Sequence, residues 1–407
     1  MHAPHVYITT QAVRQFANSL MFTTYAIYYI KELGFDPFQL LLIGMFLEAA
    51  CLLFETPTGV FADTRGRRFS VIIGFIIMGA GFMVEGSVPF FEGLIPFIVV
   101  VITAEVIRGL GETFVSGAAQ AWITDEAGEK RAGDIFLRAA GAAQAAGILG
   151  IGASAALSSI SLNLPYLAGG FIYLGMAAFL HRTMKEHNFK PAVTEGGFFS
   201  HGFDAFRDGV KIIKASAILS LLVGISFLLG AAVEGWDRLW EAQFLMNLDF
   251  PKLFNFNEAA WFGVISLVTA ASGYLASVIT RKFVRTENEK AVAIVLTGLT
   301  VLRACAILGF SFASDFWMAL FWLNIVSMAS TVSYPLFSTW INQLIPSGRR
   351  ATVLSMAGQM DAFGQIAGGP GIGYIGSRFT LRTSLFWVGI LQLPILIAYM
   401  ISVRKMK

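Results

Sequence analysis

The chain has 407 residues, of which 56% are hydrophobic and 14% charged, with a mean hydropathy of +0.67. A soluble domain carries about 25% charged residues, so a water-soluble fold is excluded. Two cysteines, Cys51 and Cys305, lie inside apolar runs and give no basis for a disulfide framework, a cysteine zinc site or an iron–sulfur cluster. The net charge of +3 is small, but it hides a strong asymmetry between loops.

The apolar residues fall into runs long enough to span a bilayer, which takes about 20 apolar residues per helix. Twelve spans are predicted: 6–30, 36–61, 69–88, 93–123, 132–160 and 163–181, then 212–243, 257–281, 291–313, 315–344, 351–376 and 380–403. The first run lacks a basic leader and a small-residue cleavage site, so it reads as a spanning helix. Lysines and arginines crowd alternate loops, from Arg65, Arg67 and Arg68 through Lys130 and Arg131 to Arg404 and Lys405, while Lys31, Lys252, Arg378 and Arg382 stand on the other side. By the positive-inside rule both termini are expected in the cytoplasm and the number of spans is even. This makes the chain an all-α integral protein of the inner or plasma membrane.

The longest loop, 184–211, divides the spans into two sets of six. The run Gly59-Val60-Phe61-Ala62-Asp63-Thr64-Arg65-Gly66-Arg67-Arg68 after the second span aligns without gaps on the run from Gly273 to Lys282 after the eighth. Trp122-Ile123 with Arg131 pairs in the same way with Trp340-Ile341 and Arg349. Two matches at nearly one offset indicate two homologous six-helix bundles, 1–183 and 212–407, with a site expected between them at mid-membrane. Within the linker, Phe199, Phe203, Phe206, Val210 and Ile213 recur at helical spacing beside Arg207, Lys211 and Lys214. This predicts an amphipathic helix, either lying on the inner leaflet or packed on protein. His187 and His201 in the same loop have no metal-ligand spacing.

The segment from Gly59 to Arg68 resembles the signature loop of the major facilitator superfamily, G-x-x-x-D-x-x-G-R-[RK], at every signature position. Its glycines permit a tight turn, and Asp63 with the arginines forms a charged cluster at the inner face. The resemblance implies a conformational latch of Gly59, Asp63, Arg65, Gly66, Arg67 and Arg68, with Glu55 and Asp125 as further members. Glu55-Thr56-Pro57-Thr58, the stretch from Arg108 to Gly117 with Trp122 to Glu126, and the stretch from Glu234 to Glu241 resemble the drug:proton antiporter branch that includes macrolide and tetracycline exporters. That resemblance implies two pseudo-symmetric six-helix bundles and proton-coupled multidrug efflux, with a role in antibiotic resistance. The fifth span departs from the branch: Gly141, Gly147, Gly150 and Gly152 are present without a proline, and Gly368-Gly369-Pro370-Gly371 appears instead in the eleventh.

Ionisable residues within apolar spans each cost about 2.5–3.5 kcal/mol at the helix centre unless paired or hydrated. Glu105, Arg108 and Glu112 are spaced three and four apart, which predicts one helix face carrying acid, base and acid. Arg108 resembles the fourth-span arginine associated with proton coupling, so Glu112 beside it and Glu48 on the second span are the leading proton carriers, with Glu105 and Arg108 as partners. An ion-pair ladder that only joins helices is the alternative. Glu234, Asp237, Arg238 and Glu241 are expected on one face near the outer mouth, flanked by Trp236 and Trp240, as either a cation-attracting vestibule or an interfacial anchor. Arg14, Asn18, Phe22 and Tyr25 in the first span, and the lone charges Arg303 and Asp361 in the second half, complete the candidate cavity. Tyr28, Tyr29, Trp261, Tyr274 and Tyr334 are further aromatic candidates.

The function expected from these residues is export of amphipathic small molecules by alternating access, with protons as the coupling ion. A transporter of an anionic metabolite held by Arg14, Arg108 or Arg303 is the alternative. No HExxH or GxSxG pattern marks an enzyme. The expected partners are a small-molecule substrate, protons and the lipid bilayer, without nucleic acid, cofactor or metal, and the expected state is a monomer.

Overall fold

The computed structural model describes residues 2–189, 191, 207, 209–284, 288–345 and 350–405, the side chains of 350–352 excepted. Among them the regular structure is helical throughout. The helices of the first half are α1 (Ala3–Phe22), α2 (Pro37–Arg65), α3 (Arg67–Gly86), α4 (Phe97–Val115), α5 (Ala118–Ala127), α6 (Glu129–Ser158) and α7 (Leu164–Thr183). Those of the second half are α8 (Ala217–Asn247), α9 (Glu258–Phe283), α10 (Glu289–Ser311), α11 (Phe316–Gln343), α12 (Arg350–Arg378), α13 (Leu381–Ile390) and α14 (Gln392–Lys405). Among the described residues, nine helical stretches are long and apolar enough to cross a membrane, with α13 and α14 together forming one of them. The other three expected spans are α1, α4 and α12. Arg14, Gln11 and Asn18 dilute the first, Glu105, Arg108 and Glu112 the second, and glycines with Gln359, Asp361 and Gln365 the third.

Three spans that read as continuous are broken. The first stops at Thr23 and Thr24 and resumes as one turn, Tyr25–Ile27, and a wider π turn, Tyr28–Glu32. The Thr23 hydroxyl bonds back to the Ser19 carbonyl (2.6 Å), and that of Thr24 pairs with Ser154 (3.0 Å) and Ser158 (2.6 Å) on α6. These side-chain bonds compete with the helical ladder. The fourth span ends at Val115, because Ser116 is extended and Gly117 takes φ +71, a conformation that favours glycine; α5 then continues the path. The twelfth breaks at Leu391 into α13 and α14.

The chain divides into two compact units. One comprises Met1–Phe35, Phe46–Val193 and Lys252–Ser266, the other Asp36–Met45, Thr194–Pro251 and Leu267–Lys407. In the first unit α1 packs on α6 and α3 on both α4 and α7; in the second α8 packs on α12, and α10 on α11, α13 and α14. Gly150 of α6 lies so close to α1 that a Cβ there would overlap the Phe16 carbonyl, and Gly364 of α12 meets the Phe227 carbonyl of α8 in the same way. These two glycines stand 214 positions apart, the spacing of the two loop motifs. Small residues let helix backbones approach without hydrocarbon exclusion to drive them together, so packing contacts supply the association. The second unit's core runs from Leu222 and Leu296 to Trp340 and Tyr399, whose rings lie 6.1 Å apart.

Phe199, Phe203 and Phe206 of the expected amphipathic helix lie outside the described residues, as do His201 of the same loop and Arg349 of the second repeat match.

Candidate functional site

Of the expected acid–base–acid face, Arg108 pairs with Glu105, and Glu112 pairs with Arg14. Arg108 donates its Nε to Glu105 Oε2 at 2.8 Å and a second bond from Nη2 to the same oxygen, within one helix. Both side chains are buried, and the guanidinium lies over the rings of Phe22 (5.2 Å) and Phe82 (5.7 Å). Glu112, expected beside Arg108, has its described ion pair on another helix. Its carboxylate takes a 2.5 Å bond from Arg14 Nη2 on α1, leaving 26% of the Glu112 side chain and 27% of the Arg14 side chain accessible. A helix turn carries position 112 about 40° past position 108, enough for a different neighbouring helix to capture it. Arg14, expected in the substrate cavity, is therefore the counterion of Glu112. Asn18, one turn further, accepts the Tyr173 hydroxyl at 2.6 Å. Glu48 on α2 is half-buried, one turn from Cys51.

Phe22 and Tyr25 belong to an aromatic cluster. Their rings lie 6.5 Å apart, and Phe22 also meets Phe82 and Tyr166 at 6.0 and 6.3 Å. Inside this cluster is an acid that the sequence reading passed over. Glu85, near the end of α3, is fully buried, takes a bond from the Tyr29 hydroxyl, and offers its backbone carbonyl to Tyr28 at 2.9 Å. An acid within a helix as apolar as α3 was the available signal.

The loop between α2 and α3 turns at Gly66 with φ +111. Arg67 pairs with Asp125 of α5 and stands 3.9 Å from Asp63, which is largely exposed. Arg68 donates to the His181 carbonyl at 2.6 Å. Glu186, also absent from the sequence reading, accepts the backbone N–H of Arg67 at 2.8 Å and that of Arg68 at 3.3 Å, so a carboxylate covers the positive end of α3. Glu126 accepts the next two backbone donors, those of His187 and Asn188, at 2.6 and 2.9 Å. Asp63, Gly66, Arg67, Arg68 and Asp125 of the expected latch thus gather around this loop, with Arg65 and Gly59 on the last turns of α2. Glu55 is exposed on α2, more than two turns before Gly66.

The second unit holds a cavity of about 530 Å³. Asp237, Arg303 and Asp361 line it together with Trp236, Tyr334, Phe337, Gln392, Tyr399 and five hydroxyl residues, Ser226, Thr300, Ser330, Ser333 and Ser338. Arg303 and Asp361 are not solitary. Gln392 Oε1 accepts both Arg303 Nε (2.9 Å) and Nη2 (2.5 Å), while Gln365 donates to Asp361 at 2.9 Å. The acidic run of the seventh span lies in the last turns of α8. There Glu234 and Glu241 are buried, Arg238 bonds Glu234 at 3.1 Å, and Asp237 lines the cavity. The rings of Trp236 and Trp240 pack on Phe310 (5.1 Å) and Phe244 (6.2 Å) respectively. Of the remaining aromatic candidates, Trp261 is buried against Phe256, and Tyr274 is exposed away from the cavity lining.

Residues 8–369 match the family model described as Major Facilitator Superfamily. Along 420 aligned residues the chain is 26% identical to the uncharacterized MFS-type transporter YxaM of Bacillus subtilis (strain 168), covering 99% of this chain and 96% of that protein. Among solved structures, the nucleoside transporter NupG superposes with a TM-score of 0.75 at 15% identity, covering 99% of each chain. A POT family transporter in complex with a thioalcohol-conjugated peptide gives 0.74 at 14% identity, over 99% and 96% of the two chains. The human organic anion transporter MFSD10 gives 0.63 at 14% identity, over 98% of each. At these identities the structural likeness establishes the fold.

Proposed function

The chain belongs to the major facilitator superfamily and is an integral membrane transporter rather than an enzyme, and on that premise we propose that it exports amphipathic small molecules, drug-like solutes among them, in exchange for protons by alternating access. The observation that carries proton coupling is the pair Arg14–Glu112. It joins two helices of the first unit and keeps a quarter of each side chain accessible, whereas Glu105–Arg108 is sealed. A carrier must exchange its proton with water and trade its counterion as the site opens, which an accessible pair allows and a dry one does not. Glu112 is the carrier in this reading, and Glu48 the second acid available to it. The second unit's cavity, apolar over most of its wall and carrying charges of both signs, is where the solute sits. The Gly66 loop, with Asp63, Arg67 and Asp125, acts as the latch that stabilises one state of the cycle. The protein works as a monomer in the cell membrane with both termini in the cytoplasm.

Acid-interior proteoliposomes test this with ethidium, whose permanent charge prevents passive trapping by the pH gradient. Accumulation against its gradient, with alkalinisation of the lumen, is expected; absence of both overturns the proposal. Arg303 in the cavity, held by the neutral Gln392, favours a second reading in which an anionic metabolite is carried. Gradient-driven uptake of 2-naphthalenesulfonate without ethidium uptake would select it.

A further inference from the structure

Resting on the transporter reading, the charge pattern of the second unit's cavity defines the solute more closely. Three ionisable side chains with formal charges line it, Asp237 and Asp361 negative and Arg303 positive, which leaves one negative charge in excess. The neighbouring Glu234 and Arg238 bond each other and cancel. Arg303 is more than nine-tenths buried, and the group that fixes it is a neutral amide, so its charge is held in place without being neutralised by that bond. Asp237 lies within electrostatic reach of Glu234 and Arg238 first, and of Arg303 and Asp361 as well. Across Glu234, Asp237, Asp361, Arg238 and Arg303 the acids outnumber the arginines by one, and the acid of this group bonded on α12 to a neutral amide is Asp361. Its described bond is again to a neutral amide, Gln365, and leaves the second carboxylate oxygen for a cation.

We propose that Asp361 anchors the cationic group of an apolar solute with a single positive charge, and that Arg303, fixed by Gln392 in the same cavity, rejects solutes carrying a second one. Trp236 and Tyr334 supply aromatic walls that attract a cation by its flat face. At about 530 Å³ the cavity lies within the range that encloses a drug-sized molecule. A second positive charge brought into this low-dielectric space meets Arg303, and like charges there repel far more strongly than in water.

Ethidium and propidium share one ring system, and propidium adds a second permanent charge, so the pair isolates the claim. With the full chain in nanodiscs and no pH gradient, ethidium fluorescence should report saturable binding, and propidium should bind at least about tenfold more weakly. Asp361→Asn should lose about tenfold or more in ethidium affinity while Asp361→Glu recovers most of it, which separates an anchor from a folding defect. Arg303→Gln should narrow the gap between the two dyes. The inference is overturned if ethidium does not bind, if Asp361→Asn binds it as the wild type does, or if propidium binds equally well. Binding with these selectivities but without proton exchange in proteoliposomes would leave the anchor standing and remove the coupling mechanism instead.

Discussion

Arg14 Nη2 and Glu112 Oε2 meet at 2.5 Å across 98 positions of sequence, so the first helix of the chain supplies the counterion for an acid of the fourth span. If the pair is worth keeping charged, deleting either charge alone should be worse than deleting both. Arg14→Gln and Glu112→Gln each leave an unbalanced charge, at a cost of about 1–3 kcal/mol, and the double variant should recover part of that loss. Thermal unfolding in detergent reads this directly. Strictly additive losses would show that the two groups do not interact.

The sealed pair should respond more severely. Arg108→Ala leaves Glu105 buried without its bidentate partner and removes the cation from between Phe22 and Phe82. Breaking a buried pair in this way costs about 3–5 kcal/mol. The expected result is poor recovery of folded protein, measured by size-exclusion profiles after extraction. A variant as stable as the wild type would mean that Glu105 finds another partner.

Helix contact through glycine gives a third test. Gly364→Val places a side chain on the Phe227 carbonyl and Gly150→Val on that of Phe16, whereas a Cβ at Gly175 would meet open space. The two valine variants should lose about 1–3 kcal/mol, and Gly175→Ala should change stability little. Equal melting temperatures for all three would contradict the close approach of α1 to α6 and of α8 to α12.

For the loop after α2, Asp63→Asn should slow turnover several-fold while solute affinity stays within about twofold, because Asp63 is exposed and remote in sequence from the cavity residues. Transport rate and dye binding measured on the same preparation check this. A large fall in affinity with unchanged turnover would remove the latch assignment.

The helices, their order, the loop motif and the doubling of the chain were legible because each leaves a local signature: apolar length, charge between spans, or a repeated string. Partners across helices were not. Nearly every position of these helices is apolar, so periodicity says little about which way Glu112 turns, and spacing from Arg108 did not reveal Arg14 as its partner. Glu85 escaped because it stands at the end of an apolar run, where a charge ordinarily meets water; here the tyrosines of the broken first span fold over it. Gln392 escaped because a neutral amide raises no alarm in a search for buried charges, although it fixes Arg303 with two bonds. Spacing put the acids of α8 on one face, but it could not show that Glu234 and Glu241 are buried while Asp237 lines the cavity.

The central claim is that the accessible pair, and not the sealed one, carries the proton. Proton movement coupled to ethidium flux, followed with a lumenal pH dye in proteoliposomes of Glu112→Gln and Glu105→Gln side by side, tests it most directly. The account predicts that Glu112→Gln abolishes solute-dependent proton movement while ethidium still equilibrates down its own gradient, and that folded Glu105→Gln remains coupled. Wild-type coupling in Glu112→Gln, with coupling lost in Glu105→Gln, would contradict it.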